Sequence, residues 1–340
     1  MGGEGDPMNI LVTGGGGFLG TKISQKLKDR GDTVRTFQRG HYADLVERDI
    51  EQVQGDLTSY QSVHDAMVGI DAVIHVAAKA GIWGPESDYM RINYEGTRHV
   101  VDAAKAHGIK RLVYTSTPSV VHGGDSLAGI DESAPYPELD EFLSPYPRSK
   151  SLAERYVLKA HGASLATVAL RPHLIWGPGD NHLIPRLIDR ARQGRLFLVG
   201  DGSNLVDSVY VDNAADAHLL ALDRLAPEAS CGGKAYFITQ GEPMPMKDLI
   251  NAMLSAAGLP PCERTISVGV AKAAGAVLET AHKIFMPSVE PRMTRFLASQ
   301  LSTAHYYNID AAERDLDYKP RLSFAEGIQE LAVHLQQTTR

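Results

Sequence analysis

A phenol and an ammonium group four residues apart, Tyr146 and Lys150, are the side chains best suited to chemistry in this sequence. The predicted helix begins near Pro147, so both would lie on one helical face. A phenol exchanges protons at neutral pH only if its anion is stabilised, which a neighbouring ammonium group and a helix amino terminus can both do. We therefore expect Tyr146 to transfer a proton and Lys150 to lower its pKa, although the spacing alone also fits an ordinary surface pair.

A hydroxyl group is needed to hold the oxygen of a reacting carbonyl, and three hydroxyls follow one another at the end of the fifth predicted strand. Thr117 is our choice and Ser116 the alternative, while Thr115 better fits a local bond to the backbone. Asn93 is a further candidate, because it could hold a helix kink or a water molecule that relays protons to Lys150. A plain helical asparagine fits Asn93 nearly as well.

Three glycines, Gly14, Gly17 and Gly20, follow the first predicted strand and open the first predicted helix. The first permits a tight turn, the second lets backbone approach a pyrophosphate, and the third lets the helix pack closely on the strand. The free N–H groups of this helix, which starts around Phe18 and Leu19, would then face the phosphates. The turn therefore predicts a dinucleotide site.

The end of the second predicted strand bears on the choice of dinucleotide. An NAD enzyme places a carboxylate there for the ribose hydroxyl, but this chain has Gln38 and Arg39. A guanidinium group suits a 2′-phosphate, so NADP(H) is favoured, although Arg39 could also be a solvated surface charge. Asp56, followed by Leu57, is placed to meet the adenine amino group, and a helix-capping role fits its spacing equally well.

The remaining predicted cofactor contacts come from three other segments. Ala77 and Ala78, followed by Lys79, are small enough after the fourth strand to let a cofactor pass. Lys150 could also hold the nicotinamide ribose. Tyr146 and Pro172 are the other predicted contacts of the cofactor. His75, just before these alanines, is predicted to be a packed strand residue. No His, Cys or carboxylate cluster has the spacing of metal ligands, so no metal is predicted.

The amino-terminal half must position these groups, and it alternates short apolar runs with helical patterns. This is typical of an α/β fold with a doubly wound parallel sheet, in which ligands bind beyond the carboxyl ends of the strands. Gly31, Gly69 and Gly108 stand where helices are expected to end. The predicted strands are Ile10–Thr13, Thr33–Phe37, Glu51–Gln54, Ala72–Val76, Arg111–Thr115 and Ala166–Leu170, and the predicted helices are Leu19–Arg30, Ser59–Met67, Tyr89–His107 and Pro147–His161.

After Pro172 the pattern breaks into shorter pieces. We expect a Rossmann domain at 1–172, to which 205–238 returns, and a mainly substrate-binding region at 173–340. The pieces predicted there are strands at Val206–Tyr210 and Ala235–Ile238 and helices at Met246–Ala257 and Val268–Lys283. The apolar stretch 268–295 is interpreted as an amphipathic helix packed on the core, or else as a lid over a long-chain substrate or a membrane-surface contact.

Composition bounds the class of protein. A chain of 340 residues with a formal charge of −7 is not predicted to bind nucleic acid, and two cysteines cannot form a disulfide framework. No secretory signal or membrane-spanning run is seen, so we expect a cytoplasmic protein. Residues 1–7 are expected to be an unstructured leader without a function.

The chain resembles the extended short-chain dehydrogenase/reductase family, and the motifs named above carry the likeness together with Asn93-x-x-Gly-Thr97 and Arg171-Pro172. Segments 144–150, 170–179 and 315–320 narrow it to the 3β-hydroxysteroid dehydrogenase-like branch. Segments 75–84, 116–120 and 177–186 are similar to members of that branch that reduce 2-alkyl-3-oxoalkanoic acids in bacterial long-chain olefin synthesis.

This resemblance implies an NADPH-dependent β-keto acid reductase. Tyr146 would be its general acid, Lys150 the partner of Tyr146, and Thr117 the carbonyl-orienting hydroxyl, where the family usually has serine. The implied partners are a small substrate with alkyl chains, a second copy in a homodimer, and other olefin-pathway enzymes. The alternatives are a steroid or other hydroxyl dehydrogenase, a nucleotide-sugar epimerase or dehydratase, and a nucleotide-binding protein without turnover.

The substrate side is less determined by sequence. His173, Asn181, His182 and Arg186 could each face a substrate carboxylate, although helix-start and surface roles fit them better. Trp83 could form a wall of the pocket or be a core residue. The segment after His305, Tyr306 and Tyr307 is expected to dock back on the body of the protein.

Overall fold

A computed structural model describes residues 7–338, so six of the seven leader residues lie outside the described part. The strands are β1 Asn9–Thr13, β2 Thr33–Gln38, β3 Glu51–Gln54, β4 Ala72–His75, β5 Arg111–Thr115, β6 Leu127–Ile130, β7 Ala166–Pro172, β8 Ile175–Trp176, β9 Leu198–Val199, β10 Leu205–Val206, β11 Val209–Tyr210, β12 Ala235–Ile238, β13 Met244–Pro245, β14 Thr265–Ile266 and β15 His305–Tyr307.

The helices alternate with the strands in the first half of the chain and predominate near its end. They are α1 Phe18–Arg30, α2 Ala43–Glu47, α3 Tyr60–Ala66, α4 Glu86–Tyr89, α5 Gly96–Ala106, α6 Pro145–Lys159, α7 Leu183–Arg192, α8 Val211–Arg224, α9 Met246–Ala256, α10 Val268–Phe285, α11 Arg295–Ser302, α12 Asp310–Leu316 and α13 Phe324–Thr338. A π-helical stretch, Met90–Glu95, joins α4 to α5, and a 3₁₀ turn, Pro118–Val121, follows β5.

The core is a seven-stranded parallel sheet in the order β12-β7-β5-β4-β1-β2-β3. Its apolar side chains alternate between two faces, so Ile10 and Val12 belong to one buried cluster and Leu11 to another. Helices α1 and α8 cover the first face, and α3, α5 and α6 cover the second. The predicted doubly wound α/β fold is confirmed.

The order in which successive strands are added to the sheet reverses at β1. Strands β2 and β3 follow on one side of β1, and β4, β5, β7 and β12 follow on the other. Thr13 and His75, the last residues of β1 and β4, stand opposite each other at this point. Helices therefore diverge there and leave a crevice beyond the carboxyl ends of both strands.

One predicted strand was wrong in its extent. The segment predicted as a single strand, Val206–Tyr210, is divided into β10 and β11, which belong to different sheets. The residues between them are buried and bonded elsewhere: Asp207 accepts a hydrogen bond from the Tyr307 amide, and Ser208 accepts one from the Trp176 ring. These bonds bend the chain where alternation alone predicts a straight strand.

The second half of the chain is divided between the large sheet and smaller structures. Strand β12 lies at the edge of the seven-stranded sheet beside β7, and α8 packs against α1. A four-stranded sheet in the order β13-β10-β15-β6 lies apart from it. The proposed division into a nucleotide-binding domain at 1–172, with 205–238 returning to it, and a substrate-binding region stays a prediction.

Candidate active site

The glycine turn between β1 and α1 forms a cradle for an anion. Gly14 has a φ of 71°, and a Cβ atom on Gly20 would lie 2.1 Å from the carbonyl oxygen of Gly14. Only glycine fits these two positions. Helix α1 begins beyond Gly17 with no side-chain cap and no acidic residue in its first turn, so its free N–H groups leave a positive end. The predicted contacts Phe18 and Leu19 are the first residues of this helix.

The rim beyond β2 carries Gln38, Arg39 and Asp56. Gln38 is buried, and its amide nitrogen lies 3.2 Å from the hydroxyl of Thr36. Arg39 is exposed and makes no ion pair within the described residues. The carboxylate of Asp56 accepts a hydrogen bond from the Thr58 amide at 2.8 Å, and this bond, together with the more distant Arg39, lowers its pKa. Asp56 thus makes a local turn, as a capping residue would.

Asn93 lies inside the π-helical stretch and ties it to the loop after β4. Its side-chain oxygen accepts from the Lys79 amide at 2.7 Å, and its nitrogen donates to the Lys79 carbonyl at 3.1 Å and to the Ser149 hydroxyl at 3.0 Å. Such π-helical turns often mark functional sites. Asn93 therefore joins the loop carrying Ala77 and Ala78 to helix α6, and Ser149 in turn donates to the carbonyl of Tyr146 at 2.8 Å.

A buried chain of hydrogen bonds supports this junction from beneath. The hydroxyl of Thr13 lies 2.6 Å from His75, whose other ring nitrogen lies 2.9 Å from the hydroxyl of Thr97. That hydroxyl donates to the carbonyl of Asn93 at 2.5 Å. Burial, with a smaller effect of Lys150, lowers the pKa of His75 to about 3, so the ring is neutral. His75 is a packed strand residue, and this network is not visible in the motifs.

Tyr146 stands in the first turn of α6, where Ser144 and two prolines begin the helix. Its hydroxyl is close enough to Thr117 for the threonine to lower its pKa, and the hydroxyl of Thr117 lies 3.0 Å from that of Ser119. Burial raises the pKa of Tyr146 to about 12, and the interaction with Thr117 only partly offsets this effect. The expectation of a lowered pKa was therefore wrong for the protein alone, because removal of the phenol from water outweighs any neighbouring charge.

Lys150 lies one helical turn further along α6 and is 2% exposed. Its ammonium nitrogen donates to the Thr115 carbonyl at 2.6 Å and lies 4.2 Å from the centre of the Tyr114 ring. Burial lowers the pKa of Lys150 to about 7, against a weaker opposing effect of Glu154. The lysine is thus held against the strand that carries Thr117. Of the hydroxyls at that strand end, that of Ser116 is buried with no partner among the described residues, and that of Thr115 lies 2.8 Å from His218.

Glu154, one turn beyond Lys150, was missed by the sequence analysis. It forms a buried two-point ion pair with Arg171 of β7, with bonds of 3.0 and 2.6 Å, and it also accepts from the Tyr136 hydroxyl at 2.6 Å. This pair fixes the register of α6 on the sheet and so the position of Tyr146. The sequence did contain a sign of this role, because Glu154 is spaced by four residues from Lys150 and therefore shares a helical face with Lys150 and Tyr146.

The four residues that the sequence offered as contacts for a substrate carboxylate lie in different surroundings in the structure. His173 is buried and lies 2.9 Å from His305, and Arg186 pairs with Glu290 at 3.1 Å. Lys79, predicted as a cofactor contact, pairs with Asp88 at 3.0 Å. The other two candidates, Asn181 and His182, are exposed at the start of α7, and Pro172 ends β7.

His122, which sequence reasoning missed, has an unused donor. Its Nδ1 accepts from the Gly124 amide at 2.8 Å, so the neutral ring carries its proton on Nε2, which is buried without a partner within the described residues. Burial is the main cause that lowers the pKa of His122 to about 4, and repulsion from His305 is the second. The sequence feature that could have identified His122 is its position, five residues after the candidate Thr117. The ring lies 6.5 Å from Phe296, measured between centroids.

Phe296 belongs to the wall of a cavity beside the site. The cavity has a volume of about 240 Å³ and an apolar lining that comes from the loop after β4, the start of α6 and the α10–α11 region. Trp83 forms part of this wall, and its ring nitrogen donates to the carbonyl of Pro287 at 3.0 Å. No group of three His, Cys, Asp or Glu side chains within residues 7–338 is placed to hold a metal ion.

Comparison with known proteins assigns this fold and site to a class. The model of the 3-beta hydroxysteroid dehydrogenase/isomerase family matches residues 11–267. The chain belongs to this family, and the prediction of an oxidoreductase from the extended short-chain dehydrogenase/reductases is confirmed.

Individual proteins show which members of the family this chain resembles. The chain is 52% identical to the 2-alkyl-3-oxoalkanoate reductase of Stenotrophomonas maltophilia, over 95% of this chain and 98% of that protein. It is 32% identical to the sterol-4-alpha-carboxylate 3-dehydrogenase, decarboxylating, of Mus musculus, over 94% and 88%. The structure of UDP-glucose 4-epimerase from Thermotoga maritima matches with a TM-score of 0.75 and 19% identity, over 98% and 100%, which shows the shared fold alone.

Proposed function

We propose that this protein is an NADPH-dependent reductase that converts a 2-alkyl-3-oxoalkanoic acid to the 2-alkyl-3-hydroxyalkanoic acid, as a step in long-chain olefin synthesis. The observation that carries the proposal is the meeting of α6 with the end of β5, where Lys150 donates to the Thr115 carbonyl at 2.6 Å and Thr117 lowers the pKa of Tyr146. The 52% identity to a 2-alkyl-3-oxoalkanoate reductase supports the substrate class.

The residues divide the work of a carbonyl reduction. A bound nicotinamide cofactor supplies the hydride for the carbonyl carbon. Thr117 holds the carbonyl oxygen, and Tyr146 gives that oxygen its proton. Because the pKa of Tyr146 is about 12, the phenol carries its proton at neutral pH and is ready to donate it. Lys150 and Asn93 position the phenol through α6, and Lys150 supports the resulting phenolate.

The glycine turn and Arg39 support the choice of NADPH. The amino terminus of α1 offers free N–H groups to a pyrophosphate, and close packing leaves no room there for side chains. At the end of β2, Gln38 is turned into the protein and Arg39 is free at the surface. A guanidinium group pairs with a phosphate by two parallel hydrogen bonds, which the ribose hydroxyl of NAD cannot offer.

A carboxylate one carbon away from the reacting carbonyl needs a donor of its own, and we assign His122 to it. The Nε2–H group of His122 is, with the hydroxyl of Ser116, one of two buried donors directly after β5 that have no acceptor within the described residues, and the ring of His122 lies 6.5 Å from that of Phe296 in the cavity wall. Leaving such a group unpaired costs about 1–3 kcal/mol, which a bound carboxylate would recover. The names of the bacterial reductase and of the mouse sterol dehydrogenase describe substrates whose carboxylate is attached to the carbon next to the oxygen-bearing one.

The test is a panel of substrates assayed with NADPH and with NADH. We expect oxidation of NADPH with 2-alkyl-3-oxoalkanoic acids and little with steroids or nucleotide sugars. Selective turnover of a 3-oxosteroid would contradict the proposed substrate class but not the proposed roles of the catalytic residues. A preference for NADH would contradict the role of Arg39. Absence of any turnover together with tight cofactor binding would leave only a nucleotide-binding protein. A homodimer is proposed on the family resemblance alone.

A further inference from the structure

Large apolar side chains are exposed together on α10 and the loop after it. Thirteen such side chains are exposed among the described residues, and six of them lie within the twenty positions 270–289. Scattered exposed apolar residues are ordinary, but a concentration of this kind marks an interaction surface. We call these six residues the α10 face: Val270, Val277, Ile284, Phe285, Met286 and Val289.

The helix geometry separates this face from the body of the protein. Val270, Val277 and Ile284 are spaced by seven residues and so lie along one line of the helix. The opposite side packs through a narrow buried stripe of Ala271, Gly275 and Glu279. A Cβ atom on Gly275 would lie 2.7 Å from the backbone of Thr294, which shows how closely that side is packed. The core-packing interpretation thus accounts for one side of the helix only.

The charges around the α10 face are positive, although the whole chain carries −7. Glu279 is buried and pairs with Arg295 at 2.9 Å, and Glu290 pairs with Arg186. Exposed Lys272 and Lys283 on the helix have no carboxylate partner within residues 7–338. An apolar line on one side of a helix, with lysines towards its other side, is the pattern of helices that lie in an anionic lipid interface.

The cavity beside the active site opens under this same helix. Its lining includes Glu279 and Lys283 of α10, Pro287 of the following loop, and Pro145, the residue before Tyr146. An alkyl chain that enters beneath α10 would therefore reach the neighbourhood of Tyr146. None of the helices in the described part is long and apolar enough to cross a bilayer.

We propose that the α10 face binds the surface of a bilayer containing anionic phospholipid, with α10 lying in the plane of the interface. Ile284, Phe285 and Met286 enter the acyl boundary, while Lys272 contacts the lipid phosphates. When the protein is docked in this way, α10 lies between the cavity and the membrane, and a substrate with long alkyl chains passes from lipid beneath α10 to the active site. This last step rests on the proposed function, whereas the lipid binding does not.

The binding test uses the full chain and vesicles of phosphatidylcholine with or without phosphatidylglycerol, measured by co-sedimentation. We expect binding to the anionic vesicles that weakens as salt is added. The double variant Ile284→Ser/Phe285→Ser should bind at least about tenfold more weakly, because two apolar side chains no longer enter the lipid. Lys272→Gln should lower binding to anionic vesicles only. The control Val68→Ser/Val333→Ser removes two exposed apolar residues elsewhere and should leave binding unchanged.

Fluorescence gives an independent measurement. The chain has two tryptophans, and Trp176 is fully buried while Trp83 contacts Pro287 beside the α10 face. Vesicles should therefore shift the emission of Trp83, and the shift should be absent in Trp83→Phe. Binding that is equal for neutral vesicles, or unchanged in the double variant, overturns the proposal. So does a dimer that dissociates in the double variant without any vesicle binding, which would assign the face to a second copy.

Turnover separates this inference from the proposed function. A short-chain, water-soluble 3-oxo acid should be reduced equally well with and without vesicles. Reduction of a long-chain substrate carried in anionic vesicles should fall in the double variant by about the same factor as vesicle binding. Lipid binding without any reduction would contradict the proposed function alone. Reduction of the long-chain substrate at the same rate in both proteins would contradict delivery from the membrane.

Discussion

The ammonium nitrogen of Lys150 lies 2.6 Å from the carbonyl oxygen of Thr115, so the catalytic helix and the hydroxyl-bearing strand end are joined at one buried atom pair. Thr117 follows two residues later and lowers the pKa of Tyr146. The lysine therefore acts as a clamp between α6 and β5 as well as a charge. Its burial also has a consequence for stability that can be measured.

Lys150→Met should alter how stability depends on pH. The pKa of Lys150 is about 7 in the folded protein, against an ordinary value of 10.5. Between these values the unfolded chain binds a proton that the folded chain does not, so this group makes stability rise with pH across that window and adds no slope below about pH 7. The variant should gain most over the natural protein near pH 6, by up to about 5 kcal/mol, and the gain should vanish above about pH 11.

Denaturant unfolding at several pH values measures this difference. Lys159→Met on the exposed side of the same helix is the control, and its stability should run parallel to that of the natural protein. Parallel curves for Lys150→Met as well would show that the folded lysine titrates normally.

Tyr146→Phe should remove reduction while leaving cofactor binding intact. The phenol is proposed to donate the proton to the carbonyl oxygen, and loss of a positioned general acid lowers kcat by about 10²–10⁴-fold. Stopped-flow reduction and fluorescence titration with NADPH measure the two properties separately. The control is Tyr156→Phe, since Tyr156 lies on the same helix but its hydroxyl bonds to Asp102 at 2.6 Å. Unchanged turnover in Tyr146→Phe would remove the proton-donor assignment.

Local patterns predicted the sheet and the turns well. Helix and strand periods and the glycines at 31, 69 and 108 located the elements of the first half, and all three glycines have positive φ. These features depend on neighbours in sequence, which a single chain displays. The break between β10 and β11 was missed because its cause, the bond from Tyr307 to Asp207, joins residues a hundred positions apart.

The site was predicted in its residues better than in its energetics. Tyr146, Lys150 and Thr117 come together, but the direction of the pKa of Tyr146 depends on how much water the fold excludes, which no spacing reveals. His122 and Glu154 were missed for a similar reason. Their importance comes from a missing partner and from a partner on another strand, and neither is visible in a motif.

Arg39→Ala should change the preference between the two cofactors. A charge-assisted bond to a 2′-phosphate is worth about 1.5–3 kcal/mol, so the KM for NADPH should rise roughly 10–100-fold while that for NADH stays constant. Steady-state assays with both cofactors measure this directly. Arg48→Ala removes an exposed arginine paired with Asp29 and should affect neither KM. An equal rise for NADPH and NADH would place Arg39 away from the 2′ position.

Glu154→Gln should destabilise the fold by about 3–5 kcal/mol, because it leaves the Arg171 guanidinium buried without a counter-charge. The matched control is Glu86→Gln, whose carboxylate also lies 2.6 Å from an arginine, Arg148, but at the surface. That exposed pair should contribute no more than about 1 kcal/mol. Urea unfolding measures both, and equal losses would contradict the role of burial.

His122→Phe should discriminate between an acid substrate and its methyl ester. The unpartnered Nε2–H group of His122 is proposed to hold the carboxylate, and a hydrogen bond to a charged group contributes about 1.5–3 kcal/mol. The KM for the acid should therefore rise roughly 10–100-fold. The KM for the ester, which lacks the charge, should change little, and kcat should be retained because Tyr146 and Thr117 are intact. His122→Gln keeps an N–H donor near the same place and should restore much of the affinity for the acid. If phenylalanine and glutamine raise the KM of acid and ester alike, His122 supports the cavity wall and another group holds the carboxylate.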